Sequence, residues 1–162
     1  MRSLFLLLLL CAGLSAQVTT IVLLRHAERL GKYPNMGLTR DGRRRAEAIA
    51  VELAPLQPLA LYASDYLRTQ QTLEPLSLML GLPIRVRTRM APEVLAAEIL
   101  RAFHGGTVVV CAHSDSVGQL AHAFGYRAGI AKVGEFDLLW ILRIGPEGFL
   151  SLEERHQLAT TP

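Results

Sequence analysis

Three apolar runs, each too short for an ordinary helix and each closing on a polar residue capable of chemistry, constrain this chain most. The first, Thr19-Thr20-Ile21-Val22-Leu23-Leu24, ends abruptly in Arg25-His26. The second, Leu59-Ala60-Leu61-Tyr62-Ala63, ends in Ser64-Asp65, with Arg68 close behind. The third, Thr107-Val108-Val109-Val110-Cys111-Ala112, ends in His113. Unbroken aliphatic and β-branched runs bounded by turn residues read as strands buried on both faces.

Between them the periodicity changes to that of a helix. Thr39 reads as an N-cap with Asp41 in the first turn, and Ala46, Ile49, Ala50 and Leu53 form the stripe that Pro55 ends. A second helix follows Asp65, carrying Arg68, Thr69 and Thr72. Pro75 is expected to kink it or tighten its early turns, and Gly81 and Pro83 close it. Residues 84–87 alternate as a shorter, more exposed strand, residues 92–103 are helical with Pro92 in the first turn, and a last helix covers about 117–124. Gly145-Pro146-Glu147-Gly148 separates apolar segments 136–142 and 149–152, a hairpin expected on the sheet edge. The expected fold is α/β: a doubly wound, mostly parallel sheet covered by helices on both faces, with a C-terminal edge hairpin.

At 162 residues the chain is long enough for one domain with a core of its own. Met1-Arg2-Ser3, the leucine run to Leu10, and Cys11-Ala12-Gly13-Leu14-Ser15-Ala16 describe an export leader, giving a signal peptide at 1–16 and a domain at 17–162. Lipidation at Cys11 and a retained N-terminal anchor are the alternatives. Cleavage after Ala16 would leave a periplasmic or extracellular protein with no stable membrane insertion. It would also leave one thiol, Cys111, in an apolar run, where it reads as a small buried hydrophobe. The net charge of +3 falls to +2 without Arg2, which is no polyanion-binding signature, and no nucleic-acid motif is present. Arg40, Arg43, Arg44 and Arg45 read as the solvated face of a helix. The oligomeric state is left open.

In open α/β sheets the chemistry sits beyond the carboxyl ends of the strands. Arg25, His26, Arg68 and His113 can therefore converge on one crevice. Guanidinium forks match phosphate oxygens, and a histidine among them can attack phosphorus and hold the phosphoryl group. The simpler alternatives are a charged turn for Arg25-His26, a helix-surface ion pair for Arg68 and a structural histidine for His113. Thr39 and Thr72 read as a cap and a packing residue. Glu28 reads equally as a support of the Arg-His turn or a solvated charge.

Four segments, in this order, resemble the histidine phosphatase superfamily, also called phosphoglycerate-mutase-like. Leu24-Arg25-His26-Ala27-Glu28 is similar to its nucleophile motif, and Leu38-Thr39-Arg40-Asp41-Gly42-Arg43-Arg44-Arg45-Ala46 to the Leu-Thr-x-x-Gly-x-x-Arg-Ala stretch that follows. Residues 62–72 resemble the segment carrying the second phosphate-binding arginine, and 109–117 the Gly-His-Ser-Asn segment of small exported members. The short intervening segments resemble the compact members that lack a cap domain. The resemblance implies His26 as nucleophile, with its other ring nitrogen oriented by a backbone carbonyl. It implies that Arg25, Arg68 and His113 bind the phosphoryl oxygens, His113 also acting in catalysis.

Two departures stand out: Ala112 where the family usually has glycine, and Asp115 where close relatives often have asparagine. For the acid that protonates the leaving group, Glu93 is the first candidate by position, with Glu98 and Asp115 as rivals. The activity so implied is phosphomonoester hydrolysis through phosphohistidine on a small phosphorylated substrate, with no cofactor and no metal. A phosphomutase and a catalytically inactive phospho-ligand-binding module are the alternatives. A two-histidine metal hydrolase is disfavoured, since two arginines would repel a cation. Loops 29–37 and 128–134 are expected to set specificity.

Overall fold

The computed structural model describes residues 17–33, 35–88, 91–129 and 134–157. The expected leader lies outside them. The three apolar runs become β1 (Thr19–Arg25), β2 (Ala60–Ser64) and β4 (Thr107–Ala112), and the alternating segment becomes β3 (Ile84–Arg87). Helices α1 (Arg40–Leu53), α2 (Leu67–Leu80), α3 (Pro92–Ala102) and α4 (Ser116–Ala123) intervene, and β5 (Leu138–Gly145) and β6 (Gly148–His156) form the hairpin. The six strands make one sheet in the order β3-β2-β4-β1-β5-β6. β1 to β4 are mutually parallel, and the last two run antiparallel.

Alternate residues of the buried strands feed two cores, because successive side chains point to opposite faces. Ile21, Leu23, Tyr62, Val108 and Val110 meet Leu95 and Ile99 of α3 and Val117 and Leu120 of α4. On the other face Val22, Leu24, Leu61, Val109 and Cys111 meet Ile49 and Leu53 of α1 and Leu73 and Leu76 of α2. The doubly covered sheet is therefore the one the apolar runs predict, and Cys111 is a buried free thiol.

Register carries this fold to the site. Arg25 pairs with Ala112 across β1 and β4, and Ala63 pairs with Cys111 across β2 and β4. Arg25, Ser64 and Ala112 thus end at one level, and the His26 N–H extends the ladder by donating to Ala112 O at 3.0 Å.

The hairpin takes one edge of the sheet, as expected. Only β6 forms the edge, whereas β5 lies inside the sheet between β1 and β6. Its core-facing residues are buried on both sides of the sheet, so an apolar strand that reads as an edge from its turn alone gains a second partner. Because β5 is antiparallel to β1, the segment just before it, residues 134–137, arrives at the carboxyl rim. Helix α2 runs through Pro75 to an end at Gly81, whose φ of +66° suits a residue without Cβ. Among the arginines of α1, Arg45 is not on a solvated face: it is half-buried and turned toward β1.

Candidate active site

His26 is 3% exposed, in the first turn beyond β1. Its Nδ1 lies 2.8 Å from the carbonyl oxygen of Ala27, an atom that can only accept. Nδ1 therefore carries the proton and Nε2 the lone pair. Burial, followed by the charges of Arg68, His113 and Arg25, outweighs that hydrogen bond and pulls the imidazole down to about 4. The result is a neutral imidazole of fixed tautomer beside two guanidinium groups.

The turn holding this ring is clamped from three sides. Thr72 Oγ1 accepts from Ala27 N at 3.0 Å and donates to Arg68 O at 2.7 Å, tying the His26 turn to α2. Thr72 is thus more than a packing residue. The Thr39 N–H donates to Glu28 O, while its hydroxyl accepts from Gly42 N at 2.9 Å as the N-cap of α1. Arg45 grips the Glu28 carboxylate with Nε and Nη2. Burial alone would push that carboxyl up, but the Arg45 hydrogen bonds hold it below the usual range. Gly42 completes the clamp, since a Cβ there would collide with the backbone carbonyl of Glu28. The Leu-Thr-x-x-Gly-x-x-Arg stretch is thereby explained: it fixes the backbone two residues beyond His26.

His113 faces His26 with ring centroids 5.4 Å apart. Its Nδ1 is 3.3 Å from Arg68 Nη2 and its Nε2 is 3.0 Å from Ser64 Oγ. Burial and then Arg68 push its pKa down, against the opposing pull of Asp115 and Asp65. Arg68 is 9% exposed at the start of α2. Its guanidinium stacks 4.3 Å above the Tyr66 ring, whose edge meets His113. Arg25 donates from Nη1 to Gly134 O and lies 4.0 Å above the Phe136 ring. Its Nε is buried without a hydrogen-bond partner among the described residues. Burial lowers the pKa of both arginines from their ordinary value.

The structure thus brings together Arg25, His26, Arg68 and His113. It does not bring Glu93 into a hydrogen bond or ion pair with any of them. Glu93 is exposed in the first turn of α3, on a face shared with Val94, Ala97 and Arg101. Glu98 is committed elsewhere, accepting from Tyr62 Oη at 2.8 Å and pairing with Arg87. Asp115 stands just before α4, close enough for its charge to act on His113.

Sequence reasoning missed Ser64 as a partner of His113, and Tyr66 and Phe136 as the aromatic walls. Ser64 carried a signal, being the last residue of a buried strand level with His113. Phe136 carried none, because it reaches Arg25 only through the antiparallel course of β5. Among the described residues, one group could hold a metal ion: Glu135, Asp137 and His156 bring one ligand atom each within 4.8 Å, at the surface. There His156 Nδ1 lies 3.2 Å from an Asp137 carboxylate oxygen and 3.7 Å from one of Glu135.

Two guanidinium groups and two imidazoles thus gather at the carboxyl rim of a doubly wound α/β sheet, with His26 buried among them. The family model "Histidine phosphatase superfamily (branch 1)" matches residues 21–94, which carry Arg25, His26 and Arg68, and the fold adds His113 beyond that span. Over that stretch, a little under half of its length, the chain is similar to the histidine phosphatase superfamily.

A curated relative, the PE-PGRS family protein PE_PGRS11 of Mycobacterium tuberculosis strain H37Rv, is 36% identical over 103 residues, 58% of this chain and 16% of that protein. The chain thus spans under a fifth of that relative. The fold is shared with mycobacterial hydrolase 2 (TM-score 0.71, 18% identity, 88% of this chain and 94% of that one). It is shared with mycobacterial glucosyl-3-phosphoglycerate phosphatase Rv2419c (0.70, 20%, 88% and 100%). The protein histidine phosphatase SixA, solved with tungstate, also shares it (0.66, 18%, 82% and 95%). These solved neighbours, all under 25% identical, share the fold of this chain.

Proposed function

We propose that the protein hydrolyses small phosphomonoesters through a phosphohistidine on His26. The observation that carries this reading is the Nδ1–H···O=C bond to Ala27, which leaves a neutral Nε2 lone pair between two guanidinium groups. Arg25, Arg68 and His113 bind the phosphoryl oxygens. The Nε2 lone pair forms a bond to phosphorus as the ester P–O bond breaks, and the leaving alkoxide takes a proton. Water then attacks phosphorus, the N–P bond breaks, and inorganic phosphate departs, returning His26 to its starting form. Fixed cations aimed at the transferring group supply the stabilisation without reorganising.

Glu93 is the proposed proton donor. β3 is parallel to β2, so α3 begins at the rim where the carboxyl ends of both lie, and Glu93 is in its first turn. Asp115 is the rival, on the evidence of its charge at His113. No step calls for a metal, and the leader at 1–16 would deliver the enzyme outside the cytoplasm. No helix among the described residues is long and apolar enough to cross a membrane. The reading is tested by turnover of p-nitrophenyl phosphate, which should persist in excess EDTA. Abolition by EDTA and restoration by a divalent ion would refute it.

A further inference from the structure

Behind His113 runs a line of buried hydroxyls whose direction is set by chemistry alone. Arg68 Nη2 can only donate, so His113 Nδ1, 3.3 Å away, is the acceptor and bears the lone pair. The ring proton is therefore on Nε2, which donates to Ser64 Oγ at 3.0 Å. Thr69 Oγ1 gives its own hydrogen to carbonyl oxygens, Tyr66 O at 2.7 Å and Ser64 O at 3.1 Å, so Ser64 Oγ donates to Thr69 Oγ1 at 2.8 Å. Ser64 is 6% exposed and Thr69 fully buried, so water cannot replace either partner. The line reads His113 to Ser64 to Thr69 to the Tyr66 carbonyl, with every hydrogen pointing away from the pocket.

We propose that Ser64 is a positioning residue for His113, holding the imidazole as the Nε2–H form so that Nδ1, beside Arg68, is the atom offered to the phosphoryl group. This rests on the phosphoryl-transfer reading of the site. It has a consequence for protons. A phosphoryl oxygen is an acceptor, as is the resting Nδ1, so His113 must take up one proton at Nδ1 when the anion enters. The doubly protonated ring then uses both N–H groups, Nδ1–H to the phosphoryl oxygen and Nε2–H to Ser64.

The charges facing the ring pull in both directions. Arg68 and Arg25 oppose protonation and Asp115 and Asp65 favour it. The neutral His26 and the Tyr66 ring edge add no net charge. The incoming anion tips the balance, and the Ser64 oxygen stabilises the cation that results.

The test uses ring-15N-labelled protein, wild type and Ser64→Ala, by NMR at neutral pH with and without vanadate as phosphate mimic. In the wild type His113 should show a protonated Nε2 and an unprotonated Nδ1, becoming protonated at both with vanadate. Ser64→Ala should lose the Nε2–H preference. Its kcat should fall about 10- to 100-fold, the scale of one hydrogen bond to a charged group, and KM should change less. With that bond gone His113 holds its proton less well in the complex, so the alkaline limb of the kcat profile should move about one unit lower. Ser64→Thr, which keeps the hydroxyl, should restore both the tautomer and the limb. If Ser64→Ala does not fold, Thr69→Val should move the tautomer and the limb in the same direction by less. An unchanged tautomer, or a lower kcat with both limbs in place, would overturn the assignment. A wild type with the expected tautomer but no turnover would instead overturn the phosphatase reading alone.

Discussion

The imidazoles of His26 and His113 stand 5.4 Å apart at 65°, one bonded to the Ala27 carbonyl through Nδ1 and the other to Ser64 through Nε2. The two rings thus present opposite nitrogens to the space between them. In the proposed reaction the first attacks and the second holds the phosphoryl group.

The first expectation is a pH dependence of stability. His26 is pulled from its ordinary 6.5 to about 4 on folding, so the unfolded chain binds more protons between those values. Its contribution is fully present above about pH 6.5 and is lost as pH falls toward about 4. Thermal melts from pH 8 to pH 4 should show Tm falling through that window. In His26→Gln the fall should shrink, leaving the part due to His113, whose pKa burial also lowers. An identical slope in the variant would contradict the assigned environment.

Gly42 and Arg45 are expected to act on catalysis without touching substrate. Gly42→Ala forces a methyl group against the Glu28 carbonyl, at a cost of about 1–3 kcal/mol typical of overpacking. Denaturant unfolding should register that loss, and kcat should fall with it as the His26 turn shifts. Arg45→Met, which keeps much of the volume but leaves the half-buried Glu28 unpaired, should lower kcat more than it raises KM. A Gly42→Ala protein with wild-type stability and turnover would refute the clamp.

The origin of these two residues' roles shows what the sequence alone could and could not reveal. The stretch from Leu38 to Ala46 was legible as a motif, and Thr39 as a cap, because capping is local. The reason for Gly42 was not legible, since its neighbour is a backbone oxygen on another loop. The strand ends carrying Arg25, Ser64 and His113 were legible from apolar run length, and parallel register brings them level. Phe136 on Arg25 was hidden, because the turn after β5 is visible in sequence whereas its pairing with β1 is a tertiary event. Glu28 and Arg45 pair across 17 positions, beyond any helical spacing.

The proton donor is separated by choice of leaving group. If Glu93 is the acid, Glu93→Gln should slow an alkyl phosphate far more than p-nitrophenyl phosphate, whose leaving group needs little help. Asp115→Asn should then be mild on both. Equal losses on both esters for Glu93→Gln, with the selective loss in Asp115→Asn, would move the role to Asp115.

Export is tested at the N-terminus. Protein recovered from the cell envelope or medium should begin near Gln17. Intact Met1 on protein recovered from the cytoplasm would contradict the leader.

The account stands on His26 carrying the phosphoryl group, and rapid quench during turnover of a 32P-labelled ester tests it most directly. An N–P bond is labile in acid and stable in alkali, so alkaline quench should trap label on the protein that acid then releases. His26→Ala should abolish both label and turnover, because no neighbouring group can replace the nucleophile. His113→Ala should remain folded, with turnover lowered about 100-fold or more, as when a stabiliser of transferring charge is removed. Near-normal turnover in His26→Ala, or label that survives acid, would contradict the mechanism.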